Sequence, residues 1–190
     1  MGTTLIVLRH LRTSDGLEGR FCSKERDISI LPNQAISLEV IEKIRRVEKN
    51  YALVHTGLKR TRETATLLAW VLRFLGEILV FPEFQERQGG KLAGLRFKEI
   101  QQLFPQLQEP RELWNVESPI SGLESVADFL SRIERGLVRI RAIGLPVVLV
   151  AHAGSIKGIQ AILGADEFQT RKQILCVQTP EHGECFEFQL

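Results

Sequence analysis

The sequence predicts an α/β fold built on a mostly parallel central sheet. Short aliphatic runs alternate with longer stretches of helical period, the pattern of strand–helix–strand units. The runs lack polar alternate residues, as do strands covered on both faces. The 190 residues are 44% hydrophobic and 25% charged, a globular composition that excludes a mostly disordered chain, a collagen-like chain and a disulfide scaffold. Residues 1–190 read as one domain with a small insertion at about 82–119.

Leu5 to Leu8 is the first buried strand. The polar stretch from Arg12 to Asp27, with Gly16 and Gly19, is a long loop, and such loops in compact domains are often functional. A helix opens at Leu31-Pro32-Asn33, with Ala35, Ile36, Leu38, Val40, Ile41, Ile44 and Val47 apolar. Lys43, Arg45, Arg46 and Lys49 suit the negative end of its dipole. Ala52-Leu53-Val54 is the second strand, Leu58 to Leu75 the second helix and Ile78 to Phe81 the third strand. Pro82 to Pro119, with three early glycines, is irregular or short-helical and lies over one edge of the sheet. Glu124 to Ile143 is a helix presenting Val126, Phe129, Leu130, Ile133, Leu137 and Ile140 on one face. Pro146 to Val150 is a central strand and Ile156 to Leu163 a short helix. Ile174–Val177 and Cys185–Phe188 close the sheet, with a turn at His182-Gly183 between them.

Lys and Arg number 25 against 23 Asp and Glu, a formal charge of +2. So small a charge gives no reason to expect nucleic acid or a membrane as partner. The three cysteines show no metal-ligand spacing, and no metal or other cofactor is expected. Cys176 reads as a buried thiol, whereas Cys22 lies in the polar loop. The run after Met1-Gly2-Thr3-Thr4 is too short for a signal peptide, and no stretch approaches the ~20 apolar residues of a membrane span. The expected location is therefore the cytoplasm. Exposed edge strands would allow a homodimer.

Three of the four histidines lie just past an apolar strand: His10, His55 and His152. In open α/β sheets, ligands bind in the crevice beyond the carboxyl ends of the strands, so these imidazoles are candidates for one site. Arg9 directly precedes His10, and Arg60 lies at the start of the second helix. A cation in a first helical turn opposes the dipole, and a bound anion there would justify it. Ala153-Gly154-Ser155 after His152 is a small-residue turn whose amides can approach an anion closely. Together these residues suggest a phosphate pocket holding imidazole and guanidinium groups.

At this point a family resemblance appears. Leu8-Arg9-His10 with Thr13 resembles the Arg-His-Gly-Glu-Thr motif of the histidine phosphatase superfamily, the phosphoglycerate mutase-like group. Leu58 to Ala65 resembles its second motif, and Glu86 with Gly90, Gly94 and Leu95 its Glu-containing segment. Gly122 to Ser125 with Asp128 and Arg132 is similar to the opening of its late helix, and Val150 to Gly154 to its final His-Gly-Gly motif. The resemblance implies a three-layer sandwich, no metal and a small phosphorylated substrate. It implies His10 as nucleophile, Glu86 as proton donor and acceptor, and Arg9, Arg60 and His152 around the phosphoryl group. Thr13, Arg12, Ala153 and His55 are further candidates for the phosphate or substrate pocket.

Several positions depart from the pattern. Leu11 stands where the family has Gly, Arg12 follows it, Gly16 aligns with an Asn that the family often uses on phosphate, and Ala153 replaces the first Gly after the last His. His55-Thr56-Gly57 replaces a Ser-Ser-Pro-like approach. His55 is either a pocket residue in place of that Ser or a buried histidine holding one backbone hydrogen bond. Glu18 to Cys22 loosely resembles the same loop in α-ribazole phosphatases. Arg12, Arg20, Lys24 and Arg26 would select a second anionic or polar group on the substrate if they face the pocket. The resemblance leaves three readings: a phosphatase, a phosphomutase of the same family, and a phosphate-binding protein without activity.

Overall fold

In the computed structural model the described residues are 2–47, 50–107, 109–114, 120–177 and 180–190. Five strands make up the sheet among them: β1 (Thr4–Arg9), β2 (Ala52–His55), β3 (Ile78–Val80), β4 (Val147–Ala151) and β5 (Cys185–Gln189). Their spatial order is β3-β2-β4-β1-β5. The first four run parallel, while β5 lies antiparallel on β1 with Leu8 opposite Cys185.

Strand side chains alternate faces with period two, and both faces of the sheet are covered. Leu5, Val7, Val54, Val147 and Leu149 pack on α5 (Val126–Ile143) and α6 (Ala153–Gly164). Ile6, Leu8, Leu53, Val148 and Val150 pack on α2 (Leu38–Arg46) and α3 (Lys59–Leu72). The architecture is thus the expected three-layer α/β sandwich. The segment after β3 carries three 3-10 turns, at Pro82–Phe84, Gly90–Leu92 and Pro110–Trp114, and the helix α4 (Phe97–Leu103). Around α4 it has its own apolar cluster of Leu92, Ile100, Leu107, Leu113 and Ile120. The far end expected for this insertion, Pro119, lies outside the described residues.

Several element boundaries move for local reasons. The helix expected from Leu31-Pro32-Asn33 begins instead at Leu38, where the Ser37 hydroxyl caps the Val40 N–H. Before it, Asn33 is left-handed, and the Gln34 side chain ties the turn to the Arg12 and Leu31 carbonyls. Lys49, expected at the helix end, lies outside the described residues. The α3 helix stops at Leu72 because Arg73 is left-handed, which leaves Leu75 98% exposed. The α6 helix starts directly after His152. The long loop after β1 holds a one-turn helix, α1 (Ser14–Leu17).

One expected element is the wrong type. Ile174–Val177 is not a strand: Phe168–Leu175 forms the helix α7, with Cys176 and Val177 in the turn that ends it. Leu175 is buried against the face of α5 and α6, and its carbonyl accepts from Lys157 Nζ at 3.2 Å. Four apolar residues are too few to separate a helix turn from a strand by period. Cys176 is half-buried rather than buried.

Candidate active site

The carboxyl ends of β1 and β4 meet where expected. His10 follows β1 and donates its backbone N–H to Ala151 O at 2.9 Å, continuing the ladder, while His152 caps α6. Both side chains are buried, and their rings lie 5.2 Å apart edge to face.

The hydrogen bonds fix both tautomers. His10 Nδ1 lies 2.7 Å from Leu11 O, and a carbonyl only accepts, so Nδ1 carries the proton and Nε2 the lone pair. Burial and the charges of Arg60 and Arg9 hold His10 well below the ordinary imidazole range. His152 Nδ1 accepts from Arg60 Nε at 3.2 Å, so its Nε2–H donates to Thr56 Oγ1 at 2.9 Å. Thr56 passes the chain to Thr61 Oγ1, which donates to Leu58 O at the start of α3. Burial, then Arg60, likewise keeps His152 neutral.

Arg60 is fully buried. Beyond its bond to His152, Nη1 donates to Arg26 O at 2.6 Å and Nη2 to Ser23 O at 3.2 Å. A guanidinium has five N–H donors in a rigid fork, so these three bonds leave others for a ligand. They also strap residues 20–27 across the site. Glu25 reinforces the strap by accepting from the Gly89 and Gly90 N–H groups, as does the Arg26–Asp15 pair at 2.8 Å.

Arg9 donates through Nη1 to Pro180 O and through Nη2 to His182 Nε2 at 3.0 Å. Its buried Nε has no hydrogen-bond partner among the described residues. Such an orphaned cationic donor near His10 suits an oxyanion. Glu86 faces the same cleft. Its carboxylate accepts from the Arg87 N–H at 2.9 Å and from Gly154 N–H in the first turn of α6 at 3.2 Å. Arg132 fixes the segment beneath it, donating to the Glu83, Gln85 and Glu86 carbonyls while paired with Glu124 at 2.6 Å.

Of the residues expected in the pocket, Arg9, His10, Arg60, Glu86, His152 and Ala153 converge. His55 does not. Its Nδ1 accepts from Gly57 N–H at 3.0 Å and it lies away from the cleft, the second of its two readings. Successive strand residues point to opposite sides, so the next residue, Thr56, is the one that reaches His152. Thr13 caps α1 by accepting from Gly16 N–H, and Arg12 is exposed at the cleft's outer rim. Leu11 packs its side chain into the core on the α2 and α3 side and does not fill the pocket. Lys24 does not line the cleft, and Arg26 is tied to Asp15.

His182 is the site residue that sequence reasoning missed. Its Nδ1–H donates to His10 O at 3.2 Å, its Nε2 takes Arg9, and its ring lies 5.2 Å from that of His10. Burial, then Arg9, lowers it to about 4. The available signal was its place directly before β5, but only the antiparallel register on β1 sets it opposite Arg9 and His10. Among the described residues no three His, Cys, Asp or Glu side chains are grouped to hold a metal ion. No helix among them is long and apolar enough to cross a membrane.

The chain is similar to several known proteins. A metal-independent phosphoserine phosphatase of Arabidopsis thaliana is 28% identical over 163 residues, covering 83% of this chain and 67% of that protein. The solved mycobacterial glucosyl-3-phosphoglycerate phosphatase superposes with a TM-score of 0.77 at 21% identity, over 98% of this chain and 90% of that one. A putative α-ribazole-5′-P phosphatase from Escherichia coli gives 0.74 at 16% identity, over 100% and 91%. The family model of the histidine phosphatase superfamily, branch 1, matches residues 5–178. With that match over most of its length, and a histidine–arginine site at the strand ends, the chain belongs to the histidine phosphatase superfamily.

Proposed function

We propose that the protein is a metal-independent phosphomonoesterase that hydrolyses a small phosphorylated metabolite through a phosphohistidine on His10. The observation that carries this is the tautomer of His10: a buried neutral ring with Nδ1–H held by Leu11 O and the Nε2 lone pair beside two guanidinium groups. The Nε2 lone pair attacks phosphorus while the bond to the ester oxygen breaks, and Glu86 delivers a proton to that oxygen. Water then attacks the phosphohistidine, gives its proton to Glu86, and phosphate leaves. Arg9 and Arg60 hold the phosphoryl oxygens and offset the charge that develops in flight. His152 acts through Arg60, since both its ring nitrogens are engaged within the protein.

The test is phosphate release from a panel that includes phosphoserine, with acid-labile label sought on His10. His10→Ala is expected to lower turnover by roughly 10³-fold or more and to abolish the label. Equal activity in the two proteins would remove His10 as nucleophile. An isomerised phosphate ester in place of free phosphate would instead favour a mutase.

A further inference from the structure

Next to the phosphate site lies a cavity of about 220 Å³. It opens on Arg9, Glu86 and Gly154, beside the carboxylate proposed to protonate the leaving oxygen, and runs back to Phe21, Phe97, Ile100, Leu113 and Trp114. These walls are built into the fold. Ile100 and Leu113 belong to the cluster around α4, against which Phe21 and Phe97 pack. Trp114 is wedged between Phe129, 5.1 Å away, and the Arg87 guanidinium 4.8 Å above its ring.

Apart from Arg9 at its mouth, the cations that line the cavity are already engaged. Arg87 donates to the Glu124 and Leu113 carbonyls, and Arg20 to Glu18 and the Gly94 carbonyl. Lys157 Nζ donates to Leu175 O. What the chamber offers a ligand is therefore aromatic and aliphatic surface, with polar groups at its mouth. Chambers of this kind take apolar, ring-shaped groups, because burial there removes apolar area from water on both partners.

We infer that the leaving group is an apolar, ring-containing alcohol seated among Phe21, Phe97 and Trp114, and not a small polar one such as serine or glycerate. The inference rests on the phosphomonoesterase reading of the site. It also argues against the basic loop selecting a second anionic group.

Two measurements on the full chain separate the two readings. The first is kcat/KM for 2-phenylethyl phosphate, ethyl phosphate and O-phosphoserine; the first two have leaving alcohols of closely similar acidity. The second is calorimetric binding of the unreactive 2-phenylethylphosphonate and ethylphosphonate. The phenyl compounds are expected to be favoured by about tenfold to a hundredfold in both measurements. Phe97→Ala should remove most of the preference for phenyl over ethyl compounds in both measurements. Phe21→Ala is the second variant, in case Phe97→Ala perturbs α4. Equal handling of phenyl and ethyl compounds, or better turnover of phosphoserine, would overturn the chamber assignment with the phosphatase intact. Preferential 2-phenylethylphosphonate binding with no ester hydrolysis would support the chamber and remove the phosphatase.

Discussion

In the neutral ring of His10 only one nitrogen carries a lone pair, and the Leu11 carbonyl decides which. A second histidine steadies the same strand end. His182 bonds both Arg9 and the His10 carbonyl, and it needs the space beside Gly16, where an added Cβ would lie 2.7 Å from its Nε2. His182→Ala should therefore lower kcat/KM about tenfold, the order of one lost bond to a charged group. Gly16→Ala should do similar damage by displacing the ring. Because both act through one contact, the double variant should be no worse than either single one; additive losses in the four-protein cycle would contradict this. At Gly154 an added Cβ would lie 2.0 Å from Glu86 Oε1. Gly154→Ala is expected to cut kcat about 10²-fold by moving the carboxylate proposed to carry the proton, with unchanged far-ultraviolet circular dichroism as the check on folding.

At the scale of elements, the site depends on how a turn and a helix are pinned together. Arg132 of α5 binds the carbonyls of Glu83, Gln85 and Glu86 and pairs with Glu124, both side chains 12% exposed. Removing Arg132 leaves a buried carboxylate without its counter-charge and takes their Arg132 donor from the Glu83 and Glu86 carbonyls. Arg132→Met should cost about 3 kcal/mol in urea unfolding and lower kcat by releasing Glu86. A loss in stability alone, with kcat intact, would show that α5 does not position the turn. Most elements were legible from period: β1, β2, β4, α5 and the late strand β5 lie within a residue or two of their expected places. α7 was not, because its apolar face is completed by α5 and α6 rather than by its own short run. α2 began late because a capping serine, not the apolar residues before it, starts the helix.

At the scale of the whole molecule, burial depresses all four histidines: His10, His55, His152 and His182. A histidine whose folded pKa lies below its unfolded value binds fewer protons folded than unfolded, so stability rises with pH through that interval. For His182 the window runs from the ordinary 6.5 down to about 4. Well above pH 6.5 all four rings are neutral in both states and impose no penalty. The urea midpoint is thus expected to hold above that pH and to fall steadily as pH drops from 6.5 towards 4. A midpoint flat across that range would contradict the buried neutral rings.

The sequence by itself determined the α/β class, the strands that carry His10 and His152, and the set Arg9, Arg60 and Glu86. All but Glu86 rest on a local cue, an apolar run or a motif at a strand or helix end; Glu86 came from the family resemblance. The tertiary structure decided which side of each strand end faces the cleft, and so replaced His55 by Thr56. It brought His182 in from the opposite end of the chain through the antiparallel pairing of β5 with β1. It also turned Leu11 into the core and formed a largely apolar cavity beside Glu86. The physical reason is common to all of these: side-chain direction and contacts between distant residues are set by register and packing, which no local pattern encodes.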